Sequence, residues 1–181
     1  MKPTEVLKHE HQIILAVIGA AEREAQRIRA TGAVDADAIA KFVDFFRNFA
    51  DKCHHAKEEK LLFPKLQERG MPAEGGPIGV MLHEHTEGRN HVSGMADAAA
   101  AAGRGDAKGA TALASHLSSF ANLLRGHIYK EDNILFNIAD ERLSPADQEA
   151  LSRAFDDVEK NEIGEGVHEQ YHQLAHELME R

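Results

Sequence analysis

The residues of this chain best placed to do chemistry are histidines and glutamates that recur as a repeat. HHAKEEKLLFP, starting at His54, returns 73 residues later as HIYKEDNILFN, starting at His127. The shared H-x-x-K-E-x-x-x-L-F aligns His54 with His127, Glu58 with Glu131 and Phe63 with Phe136. A second echo stands upstream of each copy, LKHEHQ around His11 and MLHEHT around His85. Each half of the chain therefore offers one lone His and one His-x-x-x-Glu pair. Residues four apart project from one face of a helix. Such pairs, brought together from facing helices, are how four-helix proteins hold two metal ions between them. The repeat register selects Glu58 and Glu131 over their acidic neighbours Glu59 and Asp132, since only the first two stand four residues after the aligned histidines.

The elements that must position these residues read as helices throughout. Ala30–Asp35 parts a first helix from a second, with Asp35 or Asp37 as its N-cap. The cluster Gly70–Pro77 joins the two halves, Gly103–Gly109 parts the third helix from the fourth, and Ser144-Pro145 and Gly164–Gly166 open two more. Period-two alternation is absent, so no strand is expected. In the first helix Leu7, His11, Ile14, Ile18, Ala25 and Ile28 follow the 3-4 rhythm of a bundle-facing stripe, with His11 in a core slot. Ile78, Leu82, His85, Val92 and Ala96 do the same in the third. At about 100° per residue, Val43, Ala50 and Leu61 cluster around His54, and Phe120, Leu123, Ile134 and Ile138 around His127. His55 falls toward the polar side. The expected architecture is all-α, an up-down four-helix bundle over 1–140 with pseudo-repeat halves 4–70 and 77–140. Additional C-terminal helices, an acidic extension over 141–181, pack on it.

Burying four imidazoles and two carboxylates with no cation would leave unpaired polar groups and uncompensated charge. A dinuclear metal site removes that objection. Composition agrees and excludes other classes. The 181 residues suffice for one well-buried domain. The net charge of −9 argues against nucleic acid as a partner, and residues 141–181 contribute −7 of it. The longest apolar run, from Ile13, is too short to span a bilayer, so no membrane partner is expected. The N-terminus lacks the apolar stretch of a signal peptide and there is one cysteine, Cys53, which together point to the cytoplasm. Cys53 reads as a small apolar filler rather than an oxidant sensor. His116, eleven residues before His127, is about 16 Å from it and reads as a hydrogen-bonded core residue. His9, His83 and His91 read as peripheral, and Lys57 and Lys130 either extend outward or screen a neighbouring carboxylate. In the last segment Val167, Tyr171, Leu174 and Leu178 form a stripe flanked by His168, His172 and His176. That helix either simply packs on the bundle or covers the metal pocket with Tyr171 or His168 near it.

Glu10-His11, H-x-x-K-E-E-x-x-L-F-P from His54, Glu84-His85 and H-x-x-K-E-x-x-x-L-F from His127 resemble the hemerythrin-like (HHE) cation-binding family, over roughly residues 4–140. The resemblance implies a four-helix bundle around a non-haem di-iron centre. His11, His54, His85 and His127 would be terminal ligands, and Glu58 and Glu131 would bridge the irons. Oxygen-carrying members are expected to show H-x-x-x-H in the third helix, where this chain has His85 and then Arg89. They also carry a shorter Asp five residues after the fourth-helix His. The four-His, two-Glu pattern is similar to the iron-cluster repair branch and speaks against simple oxygen carriage. Mixed imidazole and carboxylate donors suit iron or manganese better than zinc. About four donors per ion leave room for an oxo or hydroxo bridge and for dioxygen, peroxide or nitric oxide as partner. Two function classes follow. One is a redox-active centre that senses or consumes such a ligand or serves iron-cluster repair through a redox or iron-cluster protein partner. The other is a passive iron-binding or oxygen-storage module. A ferritin-like oxidase fits less well, because its sites use E-x-x-H spacing.

Overall fold

The computed structural model describes residues 1–164 and 166–181, and every element among them is a helix. Helix α1 is Pro3–Thr31. Helix α2 covers 36–68, with α-helical Ala36–Phe45 and Phe63–Glu68 and π-helical Phe46–His55 and Glu58–Leu62. Helix α3 is Pro77–Gly103. Helix α4 covers 107–142, with α-helical Ala107–Lys130, π-helical Glu131–Leu135 and α-helical Phe136–Arg142. Helix α5 covers 145–164, α-helical over Pro145–Asp157 and π-helical over Val158–Gly164. Helix α6 is Val167–Met179.

The caps follow from local chemistry. Gly32 closes α1 at φ 68°, a left-handed conformation that glycine adopts without a Cβ clash. Asp35 accepts the Ala38 amide at 3.1 Å and starts α2. Asp106 accepts from Lys108 and starts α4. Ser144 and Asp147 form a capping box at the start of α5, with Pro145 in its first turn. The break expected over Gly103–Gly109 is shorter than the glycines suggest. Gly109 lies inside α4, where a Cβ would come within 2.5 Å of the Ala102 backbone, so this glycine serves close approach of α3 and α4. Glu165, in the middle of the expected Gly164–Gly166 break, lies outside the described residues.

Helices α1 to α4 form the expected four-helix bundle. The α3–α4 and α1–α4 contacts are the most extensive, with α2 against α3 and α1. Helix α5 packs on α1 and on the second π segment of α2, and α6 on α1 and the start of α2. The apolar interior falls into two clusters. One includes Ile14, Ile18, Phe46, Phe49, Phe120 and Leu124; the other includes Leu7, Leu62, Phe63, Met81, Leu135 and Phe136. In every bundle helix the repeat histidine lies between residues of the first cluster and residues of the second. The polar centre therefore divides the core.

The π segments explain where the apolar seams depart from the 100° rule. An i→i+5 turn takes an extra residue per turn, so positions beyond it rotate relative to an α-helix. Leu62 rather than Leu61 is fully buried, and Ile134 is 48% exposed while Leu135 and Phe136 are buried. Ile138, beyond the π segment of α4, is only half-buried; so are Leu123, Leu82 and Ala96, which no π segment precedes in their helices. His55, at the end of the first π segment, is buried, not peripheral.

Candidate metal centre

All six residues singled out by the repeat are buried together, one histidine per bundle helix and a glutamate each from α2 and α4. The imidazoles form two pairs. His11 and His54 face each other Nε2 to Nε2 at 2.9 Å, and His85 and His127 at 3.1 Å. The carboxylates lie between the pairs and turn one oxygen to each. Glu131 places Oε2 3.2 Å from His11 Nε2 and Oε1 3.2 Å from His127 Nε2. Glu58 places Oε2 3.3 Å from His85 Nε2 and Oε1 3.6 Å from His54 Nε2. Two groups within mutual reach of a single cation follow: His11, His54, Glu58 and Glu131, and His55, Glu58, His85 and His127.

The outer edge of each ring fixes which nitrogen faces inward. Nδ1 of His11 meets Asp132 at 2.7 Å, that of His54 meets Glu10 at 2.8 Å, that of His85 meets Glu59 at 2.7 Å and that of His127 meets Glu84 at 2.9 Å. A carboxylate only accepts, so each Nδ1–H donates to it and the neutral ring turns the Nε2 lone pair inward. Four lone pairs and four carboxylate oxygens then converge with nothing among themselves to bond. All four oxygens of Glu58 and Glu131 lack a hydrogen-bond partner, although buried polar groups are nearly always paired. Cations between the pairs would satisfy every one of these atoms, and an outer carboxylate behind each ring is the support that metal-bound histidines receive. The donor set fits a pair of metal ions.

The model of the hemerythrin HHE cation binding domain matches residues 2–139. The chain belongs to this hemerythrin family. Uncharacterized proteins of Mycobacterium bovis and Mycobacterium tuberculosis are each 24% identical to it over 161 residues, 89% of this chain and 62% of their own length. The chain thus spans less than two thirds of these curated relatives. The iron-sulfur cluster repair protein YtfE of Dickeya chrysanthemi is 34% identical over 85 residues, 46% of this chain and 38% of that protein. No solved structure matches at a significant level. The family is one of metal-binding domains, and no helix among the described residues is long and apolar enough to cross a membrane.

Without cations the ionisation of this hemerythrin-like centre is strained. Burial and the neighbouring Glu131 charge push the Glu58 carboxyl well above its ordinary range. Burial lowers His11, but the hydrogen bond to Asp132 and the Glu131 charge outweigh it and raise the ring to about 9; His127 is raised likewise to about 9 against its burial, by the Glu131 charge and the bond to Glu84. His54 goes the other way, to about 4, because burial outweighs its bond to Glu10.

Sequence reasoning left several residues unassigned. Glu59 and Asp132, set aside as acidic neighbours, hold the rings of His85 and His11. Lys57 does not extend outward: it is fully buried and donates to Glu10 and Glu159. Its repeat mate Lys130 donates to Glu84. The signal that could have found these pairs is that Glu10 with Lys57 and Glu84 with Lys130 recur at matched places in the two halves. Arg89 bonds Asp51 at 2.9 Å and Glu59 at 2.8 Å, fixing the carboxylate behind His85. In a further group, Glu10, Cys53, Glu159 and His168, the two glutamates are already paired with the Lys57 ammonium. Cys53 is buried, and desolvation raises its thiol to about 12, in keeping with a filler. His9 and His83 are exposed as expected, and His116 is half-buried with its Nδ1 3.2 Å from that of His91. The last helix does not bring Tyr171 to the centre. Its hydroxyl lies 3.4 Å from Asp44 and its ring against Phe45 and Phe49, while His168 packs on Phe49 and meets His172.

Proposed function

We propose that this chain is a non-haem di-iron protein that reacts with or senses dioxygen, peroxide or nitric oxide, in stress response or iron-cluster repair. The observation that carries the reading is the pair of buried carboxylates whose four unpartnered oxygens face two histidine pairs. His11 and His54 would hold one ion, His85 and His127 the other, and Glu58 and Glu131 would bridge them. Two irons there would supply one-electron changes and open coordination positions for a small ligand. The protein's own part is to aim the Nε2 lone pairs through Asp132, Glu10, Glu59 and Glu84, to neutralise much of the ionic charge with Glu58 and Glu131, and to keep bulk water out with the two apolar clusters. Inward ring nitrogens and carboxylates without thiolate favour iron or manganese.

A relative described as an iron-sulfur cluster repair protein supports the repair reading over passive storage. We further propose that residues 1–140 form the metal-binding bundle, that 141–181 buttress it, and that the protein works in the cytoplasm with a redox or iron-cluster protein as partner. The test is turnover. The reduced, iron-loaded protein given peroxide in excess should consume many equivalents, and His54→Ala should abolish this along with the bound iron. Consumption that stops after one equivalent would leave a passive iron-binding or oxygen-storage module.

A further inference from the structure

Three histidines of the last helix, His168, His172 and His176, stand four apart and take no part in the buried centre. The first two face each other across one turn of α6, Nε2 to Nε2 at 2.9 Å, with ring centroids 4.7 Å apart. The histidine pairs of the centre show the same spacing, 2.9 and 3.1 Å between Nε2 atoms and 4.6 and 4.8 Å between centroids. Two nitrogens held about 2.1 Å from one ion lie about 3 Å apart. Both rings are half-buried and rest on Phe49 of α2, with centroids 5.3 and 6.1 Å from its own. Nδ1 of His168 is buried and has no hydrogen-bond partner among the described residues, but lies 3.9 Å from Oε1 of Glu159. With Nε2 taken by an ion, Nδ1 carries the proton and turns it toward that carboxylate, as His54 does toward Glu10. Burial, and then His168 beside it, lower the His172 pKa, so its lone pair is free at neutral pH. The pair opens on a cavity of about 450 Å³ that Met1, His9 and Asp156 also line, with room for water to complete the coordination of an ion.

We propose that His168 and His172 form a second, peripheral metal site, a His-x-x-x-His chelate for a divalent ion of the zinc, nickel or copper kind. Imidazole suits those ions, whereas magnesium, calcium and manganese prefer oxygen. The carboxylates nearby do not draw the ion away, because Glu10 and Glu159 are already paired with the Lys57 ammonium. The pair lies beyond residues 2–139, which match the family model, and needs nothing from the buried centre. Its consequence is local. Gly166 starts α6 without a side-chain cap, and the buried residues Ala175 and Leu178 lie in the second half of the helix. The first turns are therefore the less secured ones. An ion that takes donors four apart binds them only where the turn is helical. The site thus holds the start of α6 in helical form, on the face that packs against α1 and α2.

The experiment is a calorimetric titration of zinc into the full-length, iron-loaded protein, with zinc and iron both counted after unbound metal is removed. One zinc per chain should bind beyond the metal already present, with or without excess magnesium. His168→Ala and His172→Gln should each lose that zinc and keep the iron content of the native chain, while His176→Ala should bind zinc as the native chain does. Hydrogen exchange of the α6 amides should slow when zinc is added to the native protein and stay unchanged in His172→Gln, a readout that does not depend on iron. Zinc uptake equal in the native chain and in both pair variants would overturn the proposal. So would displacement of the zinc by magnesium, uptake only in exchange for iron, loss of the zinc in His176→Ala, or α6 exchange that zinc leaves unchanged in the native chain.

Discussion

Each ring nitrogen in the centre is decided by a single carboxylate behind it. Removing one such carboxylate without changing shape, as in Asp132→Asn, removes the charge that holds the His11 Nδ1–H. Metal affinity should fall by about 10- to 100-fold with the fold intact, as competition against a chelator of known affinity would show; unchanged affinity would mean that Asp132 does not orient a ligand. The metal-free protein carries a second expectation. His11 and His127 are raised to about 9 in the folded chain, above the unfolded value near 6.5, so their contribution is complete below pH 6.5 and lost as pH rises through 9. His54 is lowered to about 4, so it costs stability as pH falls from about 6.5 to 4. The metal-free chain should melt highest near pH 6.5 and lower at pH 9, while metal loading, which displaces those protons, removes the alkaline loss. A melting temperature that rises from pH 6.5 to 9 after chelation would contradict this. At this scale the sequence was most legible through its repeat: identical spacing in two halves singled out six residues that the structure gathers. His55 escaped because it breaks the repeat, being matched by Ile128.

At the scale of elements, the helices and their caps were legible because Asp35, Gly32, Ser144 and Pro145 act locally. The register inside α2 and α4 was not. A hydrophobic stripe extrapolated at α-helical pitch cannot foresee a π turn and its extra residue. The resulting one-residue shift has an energetic signature. Leu135→Ala should cost about 2–5 kcal/mol, as for other buried leucines, while Ile134→Ala, at a position 48% exposed, should stay within about 0.5 kcal/mol. Denaturant unfolding of the two variants decides it; equal losses would restore the α-helical register.

Across the whole molecule, two apolar clusters flank one polar layer, so the interior is continuous only when that layer is satisfied. Bound metal stabilises such a fold through the same atoms that bind it. The C-terminal helices were legible as amphipathic segments, but their docking was not. Helix α6 buries Ala175 and Leu178 against α1 and α2, and Tyr171 reaches Asp44 rather than the centre. No local pattern in the sequence distinguishes those two faces. The central claim, that four histidines and two glutamates hold a pair of ions, is met most directly by an anomalous difference map recorded at the iron edge from crystals of the iron-loaded protein. The account predicts two peaks between Glu58 and Glu131, one against His11 and His54 and one against His85 and His127. A single peak, or peaks elsewhere in the bundle, would contradict it.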